Sequence, residues 1–77
     1  MTTDSNQLLD LMALVLRLDR STVSMETSMD NTGEWDSLRH LSVILALEDE
    51  FKVRIPDDEV QHLISISLIH EWLNADP

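Results

Sequence analysis

The stretch from Asp36 to Lys52 constrains the fold most, because its apolar residues recur at helical spacing. Leu41, Ile44, Leu47 and Phe51 fall on one face, and Leu38 and Leu45 toward a second, less buried face. Asp36 suits the N-cap, since its carboxylate can accept a bond from an otherwise unpaired backbone N–H. Glu34 and Asp36 lie at the positive end of the helix dipole, and Lys52 and Arg54 near the negative end.

The remaining segments predict smaller elements around this helix. Leu8, Leu9, Leu11, Met12, Val15 and Leu16 form an amphipathic stripe, which predicts a helix over roughly residues 4–17 with Asp4 or Ser5 as its cap. Residues 18–35 break the pattern and hold the only glycine, Gly33. A loop of about 18 residues exceeds the ~12–15 usual for structureless connections, so Val23, Met25 and Met29 are expected to pin it. Pro56 suits the turn before a helix, and Asp57–Leu63 reads as a short third helix with acids at its N-terminus. Ser65 caps a fourth over about 66–74, with Ile66, Ile69, Trp72 and Leu73 facing inward. The β-branched cluster Ile64, Ile66 and Ile69 also suits a strand, but the i, i+3 spacing outweighs it. The expectation is an all-α fold, a small bundle of three main helices plus one short helix. It forms one domain over residues 1–77.

Composition narrows the function. There is no cysteine, so any thioester chemistry must use a thiol brought from outside. Fifteen acidic residues against five basic ones give a formal net charge of −10. That argues against nucleic acid and anionic lipid, and fits a monomer steered toward basic partner surfaces. No apolar stretch reaches the ~18–20 residues of a membrane span, and residues 1–7 lack the pattern of a signal peptide. The default expectation is a cytoplasmic protein.

From Asp36 to Leu73 the chain resembles the acyl carrier protein family without a gap. The matching features are Asp36-Ser37-Leu38, the acidic helix end Glu48-Asp49-Glu50-Phe51, and Val53-Arg54-Ile55-Pro56. The short acidic helix from Asp57-Asp58-Glu59 and the hydroxyl-capped last helix from Ser65 follow in order. Asp-Ser-Leu alone is a weak match, whereas the ordered set over about 38 residues is specific. The first 35 residues match only in outline. The resemblance implies that Ser37 carries a covalent 4'-phosphopantetheine arm taken from coenzyme A. It also implies that Asp36 and Leu38 help a phosphopantetheinyl transferase recognise the site. A phosphodiester on Ser37 would lie at a positive helix end, which favours an anion.

Further implied partners are an acyl or aminoacyl ligase or acyltransferase, and downstream biosynthetic enzymes. The implied recognition surface comprises Trp35, Arg39, Leu41, Ser42, Leu45, Glu48 and Asp49, with nearby Glu50 adding charge. The protein itself then catalyses nothing. In a bundle of modest stability, helices can part slightly around an acyl chain.

The departures from the family are informative. Fatty-acid carriers typically place acids two and five positions after the serine, where this chain has Arg39 and Ser42. They usually have a small or aliphatic residue where Trp35 stands. A dedicated pathway, such as a natural-product or modified-sugar cluster, is the expectation these differences raise. Trp35 suits a hydrophobic anchor as well as a cover for the arm. Two rivals remain: an aminoacyl or peptidyl carrier, and an acidic interaction module without the arm. Peptidyl carriers usually have glycine where Asp36 stands.

Other sites are set aside. Asp30–Gly33 resembles part of a calcium loop, but aligning Gly33 puts Arg39 at the last ligand position. Ser37 and His40 share a helix face, yet a third orienting group and a Gly-x-Ser-x-Gly elbow are missing. His40 is expected to be a solvated helix histidine. His40, His62 and His70 are too scattered for zinc, so no metal site is expected.

Overall fold

Four α-helices follow one another in the computed structural model, which describes residues 4–75. Met1–Thr3, part of the segment read as lacking a targeting signal, lie outside the described residues. The first helix, α1, spans Ser5–Leu16, and the Asp4 side chain accepts the Asn6 N–H at its start. The second, α2, spans Ser37–Phe51 behind the Asp36 cap. The third, α3, is the short Asp57–Val60. The fourth, α4, spans Ile66–Asn74, and the Ser65 hydroxyl accepts the Leu68 N–H at 3.2 Å. Both α1 and α2 end at left-handed residues, Arg17 and Lys52, whose N–H groups turn back onto carbonyls of the last turn. This is the expected all-α bundle, three main helices and one short one.

Helix α1 packs against both α2 and α4. Leu8, Met12 and Leu16 meet Val43, Ile44 and Leu47 of α2 and Ile66 and Ile69 of α4 in one buried cluster. These are the spacings of a helix stripe, so burial follows the sequence period. Leu9, Leu11 and Val15 lie at the cluster's margin, as do Phe51, Trp72 and Leu73.

Two features depart from the sequence reading. Helical spacing groups Leu41 with Ile44 and Leu47, yet it is 57% exposed. His40 takes the inward place one position earlier, held there by two hydrogen bonds to the core side. Helix α3 stops at Val60 instead of reaching Leu63. Leu63 is buried, and beyond it the chain must straighten to pair with the long loop.

That pairing explains how the loop is ordered. The Met29 N–H donates to the Ile64 carbonyl and the Ile66 N–H to the Thr27 carbonyl, each at 2.9 Å. Ser28 and Ser65 thereby form an isolated antiparallel bridge. The strand tendency of the Ile64 region is thus used for two residues before α4 begins. Val23 is buried and Met25 and Met29 half-buried, so the expected pins hold the loop. A 3₁₀ turn at Arg20–Thr22, unforeseen from the sequence, is closed by the Thr22 hydroxyl on the Asp19 carbonyl. The calcium-like segment is a hydrogen-bonded turn: Asn31 accepts the Ser28 N–H and donates to the Glu26 carbonyl. No group of three metal-ligating side chains occurs among the described residues. Among those residues no helix is long and apolar enough to cross a membrane.

Candidate functional site

Ser37 is the first residue of α2, and its exposed hydroxyl makes no hydrogen bond among the described residues. The capping is done by its neighbour: Asp36 Oδ1 accepts the Arg39 N–H at 2.8 Å. Ser37 is therefore at the helix start without being used to build it. The N–H groups of Ser37 and Leu38 belong to the first turn and have no partner within the helix. With the dipole of a 15-residue helix behind them, they suit a phosphodiester on the Ser37 oxygen. The residues present fit a phosphate-linked group.

Below this exposed corner the core is closed. Trp35 is 1% exposed. Its indole N–H donates to His40 Nδ1 at 3.0 Å, and the two rings are tilted with centroids 5.9 Å apart. Indole N–H can only donate, so Nδ1 is the acceptor and Nε2 carries the ring hydrogen. Nε2 donates it to the Val60 carbonyl at 2.7 Å, joining α2 to the last residue of α3. His40 is 7% exposed, not a solvated helix histidine. Both ring nitrogens are engaged, so Ser37 has no base in His40, and the nucleophile pair weighed from the sequence is absent.

The other candidate residues divide between outside and inside. Leu38 and Leu45 are 78% and 66% exposed. With Leu41, Ser42 and Asp49 they form an outward stripe along α2 at helical spacing, starting beside Ser37. Arg39 is half-buried, and its guanidinium donates to the Val15 carbonyl at 3.2 Å. There it satisfies an otherwise orphan carbonyl of the last turn of α1, at the negative end of that helix. Glu48 is also half-buried, and its Oε2 accepts the Ile55 N–H at 2.8 Å, which folds the α2–α3 connection onto the helix end. Glu50 reaches α1 instead, accepting from the Gln7 amide at 3.1 Å.

The Trp35–His40–Val60 chain escaped the sequence reading. A tryptophan and a histidine five residues apart across a helix start were its only trace, and the third partner is a backbone carbonyl that no residue type announces.

A small acidic helix bundle with an unengaged serine hydroxyl at the start of α2 has the form of a carrier domain. The family model described as phosphopantetheine attachment site matches residues 6–73. An acyl carrier protein of Clostridium acetobutylicum is 34% identical over 67 residues, 86% of this chain and 86% of the relative. One from Campylobacter curvus is 38% identical over 64 residues, 83% of each chain. One from Lactobacillus acidophilus is 34% identical over 61 residues, 79% of this chain and 76% of the relative. The chain belongs to the acyl carrier protein family. It is a carrier and not a catalyst, and its cofactor is covalent 4'-phosphopantetheine. Its partners, in general terms, are a phosphopantetheinyl transferase and biosynthetic enzymes.

Proposed function

We propose that Ser37 is the attachment residue and that the chain acts as one carrier domain of a dedicated biosynthetic pathway. The observation that carries this reading is the exposed, unengaged Ser37 hydroxyl at a helix start already capped by Asp36. Ser37 Oγ attacks the phosphorus of coenzyme A that bears the pantetheine. A P–O bond forms, the pyrophosphate P–O bond breaks, adenosine 3',5'-bisphosphate leaves, and the hydroxyl proton passes to the transferase. The thiol of the attached group then holds an acyl cargo as a thioester.

Asp36 fixes the backbone that presents Ser37. Leu38, Leu41, Ser42, Leu45 and Asp49 supply the outward recognition surface, apolar at its centre and acidic at its far end. Arg39 and Glu48 support that surface from its edges through their backbone bonds. Trp35 acts from beneath as the anchor of the site. Asp36, in the place where peptidyl carriers usually have glycine, favours an acyl over an aminoacyl cargo. Arg39 and Ser42, in place of the usual acids, favour a pathway apart from housekeeping fatty-acid synthesis.

The test is intact mass after incubation with coenzyme A, magnesium and a promiscuous phosphopantetheinyl transferase. The expected result is a gain of one phosphopantetheine group, absent in Ser37→Ala. A gain in that variant moves the attachment elsewhere. The pathway assignment fails if a housekeeping fatty-acid malonyl transferase charges this chain as efficiently as its own carrier.

A further inference from the structure

An apolar surface outside the α2 stripe has no role in the carrier reading. Leu14 is 76% exposed, the one large apolar side chain of α1 that stands in solvent. Gln7, Asp10, Leu11 and Leu14 recur at three- and four-residue steps and so share a face of α1. With Glu50, near the end of α2, they line an open cleft of about 290 Å³. Leu11 is half-buried and forms the deeper apolar part, and Leu14 the outer. We propose that this cleft is a second docking surface, and that it takes a short basic amphipathic helix of a partner protein. The surface stands whether or not Ser37 carries an arm.

Charge identifies the occupant. The charged side chains of the cleft, Asp10 and Glu50, are both acids. Each gives one oxygen to a neighbour within the chain. Arg20 Nε donates to Asp10 Oδ1 at 2.6 Å, and the Gln7 amide donates to Glu50 Oε2 at 3.1 Å. These bonds orient the carboxylates, and the second oxygen of each has no hydrogen bond among the described residues. An Arg or Lys of a partner can take it. Glu50 is the stronger anchor, because its neighbour Gln7 is neutral while Arg20 offsets Asp10. A second copy of the chain would bring a further net charge of −10, and anionic lipid would be repelled. At about 290 Å³ the cleft falls short of the ~300–1,000 Å³ of small-molecule pockets, which leaves side chains of a larger partner.

The spacing sets the form of that partner. Gln7 holds Glu50 at one end of the cleft, and Leu14 lies two turns further along α1, roughly 10 Å at ~1.5 Å per residue. Positions i and i+7 of a partner helix span the same distance on one face. A cation at i meets Glu50, and an apolar side chain at i+7 covers Leu14 and removes it from water.

The probe is a synthetic alanine-based helix of about four turns, with two Arg near its start and two Leu seven residues further on. It is titrated into the whole ¹⁵N-labelled chain, beside a control peptide with Ser for both Leu. The expected amide shifts centre on Asp10, Leu11, Leu14 and Glu50. Leu14→Ser is expected to weaken binding about fivefold or more, and Leu45→Ser, on the α2 stripe, by less than about twofold. Glu50→Gln is expected to weaken binding and flatten its salt dependence. Shifts centred on Leu38 and Leu45, or equal losses in Leu14→Ser and Leu45→Ser, would overturn the proposal. Equal affinity for the control peptide would too, since charge alone then binds. No binding at about 1 mM peptide would likewise overturn it. So would sedimentation of the chain alone as a dimer that Leu14→Ser dissociates, because a second copy then covers the cleft.

Discussion

Replacing His40 with alanine removes the one side chain that joins Trp35 to α3. Two groups lose their partner: the indole N–H of Trp35, which is buried, and the Val60 carbonyl, which lies toward the surface. An unsatisfied buried group costs about 1–3 kcal/mol, and the imidazole also leaves a void. Water can reach the half-buried end at Val60, so the total expected is about 2–4 kcal/mol. For a domain of this size each kcal/mol lowers Tm by about 4–8 °C, which puts the fall at roughly 10–30 °C. Urea unfolding followed by Trp fluorescence reads this directly. The pairing itself is isolated by a double-mutant cycle with Trp35→Phe, which deletes the indole N–H and keeps most of the ring. A coupling of about 1 kcal/mol or more is expected between the two sites. A loss below about 0.5 kcal/mol for His40→Ala, the level of an ordinary surface change, refutes the lock.

Four further outcomes follow from the geometry. Ser37→Ala should change stability by less than about 0.5 kcal/mol, because Asp36 does the capping and alanine favours helix, while modification is lost by intact mass. Asp36→Ala should cost about 1 kcal/mol in urea unfolding through loss of the N-cap bond, and should slow modification by the transferase. Glu48→Ala should cost about 1 kcal/mol, because the Ile55 N–H loses its acceptor, and hydrogen exchange at Ile55 should rise. Leu38→Asp and Leu45→Asp should leave unfolding within about 0.5 kcal/mol of wild type, yet slow transfer to partners that read the outer stripe.

Much of the fold was legible because it rests on short-range periodicity. The start of α2 was readable from Asp36, since a cap is a contact between residues two or three apart. The same holds for Asp4 at α1 and Ser65 at α4, and the stripe of α1 marked its buried face. Ser37 stood out because the residues around it keep a family order in sequence. The places where the reading slipped share one cause. Leu41 and His40 are adjacent, and the helix period alone could not decide which faces inward. The end of α3 and the bridge between Ser28 and Ser65 depend on a segment some 35 residues away in the chain.

Arg39 and Glu48 illustrate the same division for the site. By residue type both belong on a charged surface, and both are committed to backbone groups of other segments, Val15 and Ile55. The sequence by itself determined the three main helices, their caps and the family, because local spacing and residue order encode all three. Only the tertiary structure decided that Trp35 and His40 close the core beneath Ser37, and which leucines of α2 remain outside. Those outcomes are set by partners distant in sequence, a carbonyl on α3 above all, and no local pattern records them.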